Sequence, residues 1–412
     1  MLDSTNYIST VSVSDGIVEQ IAKFQKEKGR KVRTSYIGGP GDIGGTYDQW
    51  RQGQHDQRVP IVTYSAMFYE LTEKLDLDAQ VLIQNSVPDG GTGRFKFESI
   101  SREKFSGGYL QWLRHERTYA SALVEAVNRY DPDIIIVSSD APSFSWRRLS
   151  RGRRLVLSAH NTFWPSGQKP RGIKDRLRFQ FLSWRAKHLD GTVCVSHECS
   201  RQVKKLAGND HKTRIAYPQI LSRYTPSKSD RIASLLFLGR IEKFKGIFEL
   251  LDAYQELKKD FPELTLSYAG TGKAADELVS RTQATDGVEY HGRLRSAEVH
   301  EAIRNADLVI CPTTTKFNEG LAVVGFEAAA HGVPVALSSM VPAKDLLANG
   351  CIVFAPDSTE AISTAIRRLI NNPEDYRSLK YETLKNREIV YDRTRSWGSQ
   401  LSLLLEDLNG PN

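Results

Sequence analysis

Short apolar runs alternate with longer amphipathic segments along most of the chain. Short apolar runs between turn residues are typical of buried strands, and apolar residues three and four positions apart are typical of helices that pack on a core. The alternation therefore predicts parallel sheets covered by helices. In the first half it predicts strands at 31–37, 79–84, 133–138, 154–158 and 191–195, and helices at 65–75, 108–129, 172–188 and 198–206.

The pattern is interrupted at residues 217–230, which contain two prolines and little apolar periodicity and are predicted to be a linker. A second alternating series follows. It predicts strands at 234–238, 264–269, 288–291, 308–311 and 334–337, helices at 246–261, 274–282, 297–305 and 325–331, and a largely helical tail from residue 359.

Two consecutive doubly wound α/β domains are therefore expected, since 412 residues are more than one hydrophobic core usually serves. The predicted domains are residues 1–216, with 1–30 as a helical extension, and residues 231–390. Residues 391–412 are predicted to be a terminal helix that packs back on the first domain. Ligands of such sheets bind beyond the carboxyl ends of the strands, so functional residues are expected in the strand-to-helix turns that line the cleft between the domains.

Composition argues against several classes of protein. An apolar content of 40% and a charged content of 25% are typical of globular domains. No run approaches the roughly 18 apolar residues of a membrane-spanning helix, and the N-terminus lacks the basic and apolar regions of a secretory signal. Four cysteines in so long a chain form neither a disulfide framework nor a zinc-binding pattern. We therefore expect a cytoplasmic protein without a structural metal.

The net charge of +7 is concentrated in one segment, because residues 146–187 contain twelve Lys/Arg and a single acidic residue, Asp175. Such a patch is typical of a site that binds a phosphate-bearing partner, or of a basic face that is simply solvated. No stacking-aromatic or helix-turn-helix pattern accompanies it, so no nucleic-acid partner is expected.

An apolar stripe at helical spacing lies within residues 171–187, next to several cations. The stripe is Ile173, Leu177, Phe181 and Trp184, and the cations are Arg171, Lys174, Arg178 and Arg185. Two interpretations stay open. The helix lies on the anionic inner face of a plasma membrane, or its stripe faces the protein core and its cations are solvated.

Two strand-to-helix turns of the second half carry residues suited to a diphosphate. In the first, Gly239 and Arg240 precede Lys245, so that a forked guanidinium and an ammonium meet at the start of a helix. The second contains Gly270 and Thr271, where glycine lets the backbone approach a ligand closely. Neither motif is specific, since tight turns of this kind favour glycine in any case.

A third turn, Gly320-Leu321-Ala322-Val323, is bracketed by Glu319 and Glu327. A helix that begins near Leu321 or Ala322 would leave its first N–H groups free to bind a phosphate, with Glu319 just before it and Glu327 nearly two turns inside. Glutamates near a helix start also favour the helix dipole, which is the purely structural explanation. However, Glu327 lies in an otherwise apolar stretch, where a carboxylate requires a partner.

Taken in order, these motifs resemble family 4 (group 1) retaining glycosyltransferases. LLFLGRIEKFKGIFELLDAY resembles the GR…KG…LL.A segment of the family, and NEGLAVVGFEAAAHGVPV resembles its E-x7-E motif. AGTGKAADEL and VEYHGRLRSAEVHEAIRNADLVICPT stand between them in the same order, and the resemblance covers residues 234–370. It implies the GT-B fold, in which two Rossmann-like domains face each other across a cleft, the first binding the acceptor and the second the nucleotide sugar.

The resemblance also implies roles for individual residues. Arg240 and Lys245 match the diphosphate cations, and residues 320–323 match the phosphate-binding turn. Glu319 matches the carboxylate at the donor sugar, and Glu327 matches the ribose contact. The remaining donor-site residues that it implies are Gly239, Gly270, Thr271 and Arg293, the last near the base.

The first half departs more from the family. In RLVLSAHN, His160 stands where the family often shows His-Asp, and Asn161 replaces the Asp. His160 is expected to contact the transferred sugar; the alternative is a capping or packing histidine. The glycine-rich loop has two possible places, at Gly16 or at Gly38, Gly39, Gly41, Gly44 and Gly45. We favour the second, because residues 65–84 then form the first helix and the second strand.

The implied reaction is retaining transfer of a sugar to a hydroxyl of a sugar or lipid-linked saccharide, as in bacterial cell-surface polysaccharide assembly. No Asp or Glu is an obvious nucleophile, so a front-face displacement is expected, in which cations and amides stabilise the leaving phosphate without a metal or other cofactor. Two alternatives are a nucleotide-sugar epimerase of the same fold, which needs a carboxylate pair from the first domain, and a non-catalytic binding protein. The intact Glu319, Glu327, Arg240 and Lys245 argue against the latter.

Overall fold

A computed structural model describes residues 7–88, 93–102, 107–170 and 172–411. The chain forms two α/β units in succession, each built on one parallel sheet. The strands of the first sheet are β1 (Arg33–Ile37), β2 (Asp78–Ile83), β3 (Phe95–Ser99), β4 (Ile134–Ser138), β5 (Arg154–Ala159), β6 (Gly191–Cys194) and β7 (Lys212–Ile215). Their spatial order is β3-β2-β1-β4-β5-β6-β7, so the winding direction reverses between β1 and β4.

The second sheet repeats this plan with six strands. These are β8 (Ser234–Leu238), β9 (Thr265–Ala269), β10 (Val288–Tyr290), β11 (Leu308–Cys311), β12 (Val335–Ser338) and β13 (Cys351–Phe354). The order is β10-β9-β8-β11-β12-β13, with the reversal between β8 and β11. Ligands of doubly wound sheets bind at such switch points, which directs attention to the loops after β1, β4, β8 and β11.

Helices connect the strands. They are α1 (Asp15–Lys28), α2 (Ile43–Arg51), α3 (Tyr64–Lys74), α4 (Tyr109–Tyr130), α5 (Trp146–Leu149), α6 (Gly172–Ala186), α7 (His197–Ala207), α8 (Ile247–Asp260), α9 (Ala275–Thr282), α10 (Ser296–Asn305), α11 (Val324–Ala330), α12 (Lys344–Leu347), α13 (Thr359–Asn371), α14 (Pro373–Asn386) and α15 (Trp397–Asp407). Side-chain caps start several of them: Ser14, Thr63 and Ser196 each accept a hydrogen bond from an N–H of the first turn.

The predicted fold class is confirmed, and each strand and helix that the periodicity predicted is present within two residues of its expected bounds. The strands β3, β7 and β13 and the helices α2, α5 and α12 were not predicted. In addition, the helix α11 begins at Val324 and not near Leu321 or Ala322, because Ala322 adopts a left-handed backbone (φ 66°) that no helix continues.

The last helix, α15, lies on the first unit. It packs against α1, α3, β6 and β7, and its Trp397, Leu401 and Leu404 belong to the core built on the first sheet. The Trp397 indole N–H donates to the Ser158 hydroxyl at 2.8 Å, and Arg154 donates to the Leu408 carbonyl at 2.7 Å. The polypeptide thus returns to its first unit after completing the second.

No helix in the ranges that the structure describes is both long and apolar enough to cross a bilayer.

Candidate functional site

A cavity of about 380 Å³ lies where the two switch points face each other. The second unit lines it with Gly239 and Arg240 after β8, Lys245 before α8, and residues 319–324, the last of which begins α11. The first unit lines it with Tyr64, His160 and Asn161. The cleft therefore brings together residues that are far apart in sequence, as the topology of doubly wound sheets requires.

Lys245 and Glu319 form an ion pair at the floor of the cavity, and both side chains are largely buried. Glu319 Oε2 also accepts a hydrogen bond from the Thr313 hydroxyl at 3.1 Å. Thr313 follows β11 and Lys245 precedes α8, so two loops that flank the switch point hold one carboxylate. The pair fixes Glu319 in place and presents the Lys245 ammonium beside the turn at 320–323.

Arg240 is held at the rim of the same cavity. Its guanidinium pairs with Glu242 at 3.2 Å and lies 5.0 Å from the centre of the Phe317 ring. The Lys245 ammonium lies 4.3 Å from the centre of that ring. One aromatic ring therefore contacts both cations, which offsets part of the repulsion between the two like charges.

The turn at 320–323 lines the cavity with its backbone. The N–H groups of Leu321, Ala322 and Val323 donate to no carbonyl in the described part of the chain. The left-handed Ala322 bends the turn away from a helical course, and such a conformation costs a non-glycine residue on the order of 1 kcal/mol. The turn is thus a set of unpaired donors beside two cations, which suits a phosphate.

Glu327 lies in the first turn of α11, and the expectation that it lies nearly two turns inside a helix is wrong. Its side chain is buried and lines the cavity, and no hydrogen bond to the carboxyl is formed within the described residues. Burial raises the pKa of this carboxyl to about 7. A buried acceptor at a cavity wall, without a protein partner, is suited to hydroxyl groups of a ligand.

His160 closes the cavity from the first unit, at the end of β5. Its ring stacks on Tyr64 with a centroid separation of 4.5 Å, and Nε2 lies 3.2 Å from the Ser158 hydroxyl oxygen. Burial lowers the pKa of this imidazole to about 4, against the opposing effect of Asp140, so the ring is neutral at pH 7. Nδ1 is buried and has no hydrogen-bond partner within the part of the chain that the structure describes.

The two units touch directly beside the cavity. The Thr162 hydroxyl donates to the Glu319 carbonyl at 3.2 Å. A Cβ atom at Gly320 would lie 2.0 Å from the His160 carbonyl oxygen, so only glycine permits this approach. The spacing between His160 and the turn at 320–323 is therefore set by backbone contact.

A second cavity of about 570 Å³ adjoins the first and shares Tyr64 and His160 with it. Gly39 and Gly41, from the loop between β1 and α2, line it together with Arg293 of the second unit. Arg293 thus lies with the glycine loop and is absent from the lining of the first cavity.

Three carboxylates of the first unit line this second cavity, although the sequence analysis identified none there. Asp42 and Asp56 are both paired with Arg58, and Asp140 Oδ2 accepts a hydrogen bond from the Ser138 hydroxyl at 3.1 Å. One guanidinium thus serves both Asp42 and Asp56, so this group keeps a net charge of −1. The remaining carboxylate, Asp140, lies near enough to His160 to act on its charge.

Several predicted glycines have packing roles. A Cβ at Gly270 would lie 1.7 Å from the Gly239 carbonyl oxygen, and Gly270 and Thr271 are not among the described residues that line the first cavity. In the glycine-rich loop, Gly38 packs on Ile43. The first turn of α2 contains Gly44 and Gly45, of which Gly45 donates its N–H to Asp42 at 3.0 Å. The alternative loop at Gly16 lies in α1 against Glu406.

Sequence reasoning missed Phe317, Thr313, Tyr64 and Ser158 as site residues. Thr313 had a signal, because it directly follows Pro312 at the end of a predicted strand and precedes Glu319 by six positions. The other three had none, since each acts through a partner on a distant segment. No cluster of three or more His, Cys, Asp or Glu suited to a metal ion occurs among the described residues.

Two family models match the chain in succession. Residues 89–220 match the model described as Glycosyltransferase Family 4, and residues 225–386 match the model described as Glycosyl transferases group 1. The chain belongs to the family 4 (group 1) glycosyltransferases. The first model covers most of the unit that holds His160, and the second covers every cavity residue from Gly239 to Glu327.

Individual members of this glycosyltransferase family are distant from the chain. The protein named as teichuronic acid biosynthesis glycosyltransferase TuaC of Bacillus subtilis is 26% identical over 284 residues, which are 63% of this chain and 68% of TuaC. Glycogen synthase of Mycobacterium tuberculosis is 27% identical over 146 residues. That alignment spans 34% of this chain and only 34% of the glycogen synthase.

The fold of the glycosyltransferase is shared with solved structures. HepE of Anabaena, solved in complex with UDP and glucose, is 14% identical with a TM-score of 0.59, and the match covers 90% of this chain and 98% of HepE. At this identity the likeness concerns the fold alone. With the two facing doubly wound sheets, it confirms the predicted GT-B fold.

Proposed function

We propose that this glycosyltransferase is a retaining hexosyltransferase that moves a sugar from a nucleoside diphosphate sugar to an acceptor hydroxyl. The observation that carries the proposal is the first cavity, where Lys245, Arg240 and the unpaired N–H groups of residues 321–323 converge. Two cations and a set of amide donors fit a diphosphate. The buried, unpartnered Glu327 fits the hydroxyl groups of the adjoining ribose.

These groups would act on the leaving diphosphate. As the bond between the anomeric carbon and the phosphate oxygen breaks, negative charge grows on that oxygen. Lys245 is already oriented by Glu319 and Phe317, and the turn is already bent by Ala322, so little reorganisation is needed at the moment of reaction. Because the side chains supply positive charge, we propose that no divalent metal is required.

Retention is the finer part of the proposal. A double displacement needs a carboxylate nucleophile beside the anomeric carbon. Glu319 is engaged by Lys245 and Thr313, and the first unit lines the cavity at the end of β5 with His160, which is no carboxylate. We infer a front-face displacement: the acceptor oxygen bonds to the anomeric carbon on the side from which the phosphate departs, and the acceptor proton passes to a phosphate oxygen.

The donor and acceptor follow from the two cavities. HepE is described with UDP and with UDP-glucose, so uridine sugars are the first donors to test. The second cavity, which shares His160 with the first, is proposed to bind the acceptor saccharide, free or lipid-linked. The name of TuaC supports a place in cell-surface polysaccharide assembly.

A binding screen tests the donor site. We expect calorimetry and thermal-shift measurements with UDP, GDP, ADP, TDP and their common sugars to identify one nucleotide that binds saturably. Its binding should weaken in Arg240→Ala and Glu327→Ala. Incubation of that nucleotide sugar with saccharide acceptors, followed by proton NMR of the anomeric signal, then reports retention or inversion. Absence of binding to the intact chain would overturn the donor proposal, and an inverted product would overturn the mechanism alone.

A further inference from the structure

The helix α6 presents its apolar stripe to solvent. Ile173, Leu177, Phe181 and Trp184 are all exposed, whereas α6 packs on the protein through Phe179, Leu182 and Ala186. Of the two interpretations of this stripe, the structure contradicts the one in which it faces the core. The residue Arg171, expected beside the stripe, lies outside the described residues.

A second exposed apolar group adjoins the stripe. It comprises Tyr109, Leu110 and Trp112 at the start of α4. Phe144 lies between the two helices and is close to a cation from each. The Arg185 guanidinium of α6 lies 4.2 Å from the centre of the Phe144 ring, and the Arg117 guanidinium of α4 lies 6.0 Å from that centre. We name these seven exposed residues and the cations among them the α4–α6 surface.

This surface is unusual within the molecule. Fourteen large apolar side chains are exposed among the described residues, and seven of them lie here with exposures between 40% and 79%. Contiguous exposed apolar groups of this kind mark an interaction site, unlike apolar side chains scattered singly.

Charge decides between the possible partners. Lys174 and Arg178 lie along one side of the stripe on α6, and Arg176 and Lys187 lie along the other, all exposed. The Arg147 guanidinium lies 5.4 Å from the centre of the Trp184 ring. An apolar stripe with aromatic residues, flanked on both sides by cations, is suited to the boundary between anionic head groups and acyl chains. A protein partner would have to match this charge and still cover two separate helices.

We propose that the α4–α6 surface docks the enzyme on an anionic lipid bilayer, with the seven apolar side chains inserted and the surrounding cations on the head groups. The helix α6 begins twelve residues after His160. The loop between them contacts the second unit, because Gln168 Nε2 donates to the Thr315 carbonyl at 3.0 Å. Docking there places the bilayer at the rim of the cleft. A lipid-linked acceptor, which rests on the proposed function, would then approach along the membrane.

Vesicle sedimentation of the intact 412-residue chain tests this inference without any use of activity. We expect binding to vesicles of phosphatidylglycerol and phosphatidylcholine in equal parts, weak binding to phosphatidylcholine alone, and release by salt. Phe181→Ser with Trp184→Ser, and separately Lys174→Glu with Arg178→Glu, should each lower partitioning at least about tenfold. The matched controls Tyr381→Ser and Lys23→Glu with Lys26→Glu, at exposed positions elsewhere, should leave it unchanged.

Two outcomes would overturn the proposal. One is equal binding of the intact chain and both α6 variants. The other is that the intact chain does not bind vesicles but forms a dimer in light scattering, and that the α6 substitutions dissociate this dimer. The α4–α6 surface would then be an interface between two copies of the chain. Thermal unfolding of each variant checks that folding is unaltered, as expected for exposed side chains. Failure of this test leaves the donor proposal intact, since nucleotide binding is measured separately.

Discussion

Ser158 joins the C-terminal helix to His160: its hydroxyl oxygen accepts from the Trp397 indole at 2.8 Å and lies 3.2 Å from His160 Nε2. The indole can only donate, so the Ser158 proton is available to Nε2. With the Ser158 proton directed at Nε2, the neutral imidazole would carry its own proton on Nδ1, which is buried and has no hydrogen-bond partner among the described residues. We expect Ser158 and Trp397 to act as positioning residues for the His160 ring.

Ser158→Ala should lower kcat about fivefold, because the His160 tautomer that accepts at Nε2 loses its hydrogen bond to the Ser158 hydroxyl, which is worth roughly 1 kcal/mol. Since that bond stabilises the neutral ring, the acid limb of the pH profile should also move to higher pH. Ser158→Thr, which keeps the hydroxyl, should restore both. The matched control is Ser402→Ala, because the buried Ser402 hydroxyl has no hydrogen-bond partner among the residues that the structure describes. An unshifted pH profile in Ser158→Ala would contradict the assignment.

Lys245→Ala should lower nucleoside diphosphate affinity at least tenfold and kcat by roughly a hundredfold or more, because it removes charge from the leaving phosphate and leaves Glu319 unpaired in a buried position. Lys243→Ala serves as the control, since Lys243 lies in the same turn but is exposed and pairs with Glu277. Calorimetry and single-turnover kinetics measure the two effects. Equal losses in both variants would indicate general disruption of the turn.

Glu327→Gln should change the pH dependence of stability. Burial raises the folded-state pKa of Glu327 to about 7 from an ordinary 4.5, so the intact protein loses stability as pH rises from 4.5 through 7. The glutamine variant escapes this loss, which is on the order of 3 kcal/mol at most. Its stability relative to the intact chain should therefore be higher at pH 8 than at pH 5 in urea unfolding.

The control for that measurement is Glu256→Gln, at an exposed position of α8, where no such difference between pH 5 and pH 8 is expected. A Glu327→Gln difference that is the same at both pH values would show that the carboxyl ionises normally in the folded state.

Gly320→Ala should impair transfer far more than stability. The added Cβ would meet the His160 carbonyl oxygen, so the two units must separate to relieve the contact. We expect kcat to fall at least tenfold, because groups that act together lose efficiency with small displacements. Gly108→Ala, where a Cβ has open space, is the control. Wild-type turnover in Gly320→Ala would mean that the cleft works in a more open form.

The sequence predicted the strands that form the interior of each sheet, because buried parallel strands are short apolar runs. It missed the edge strands β3 and β7, whose sequences FKFES and KTRI carry charges that protect exposed edges. It also missed α2, whose first turn contains two poor helix formers, Gly44 and Gly45, and which packs Tyr47 and Trp50 into an aromatic cluster.

Within the site, residue types and spacing identified Lys245, Glu319 and Glu327 as candidates, but not their arrangement. The pairing of Lys245 with Glu319 depends on loops 74 positions apart. The periodicity placed the start of α11 within one residue of Val324, but the start near Leu321 or Ala322 considered for the phosphate-binding turn is wrong, because the left-handed Ala322 is strained locally and is held by its surroundings. The sequence did not determine whether the apolar stripe of α6 faces the core or solvent. That orientation depends on which face of the helix packs on the rest of the protein, which is a tertiary property.

The return of α15 to the first unit has a consequence for biosynthesis. A ribosome delivers residues 7–216 well before Trp397, Leu401 and Leu404, on which the core around the first sheet depends. At ordinary elongation rates that interval is on the order of 10–40 s. During it, the nascent first unit exposes the groove against α3 and β7 that α15 will fill. Newly made chains therefore pass through a period in which this groove is open to chaperones. A chain that terminates before α15 would leave the groove unfilled, so a nonsense codon near the very end should be as damaging as one in the middle.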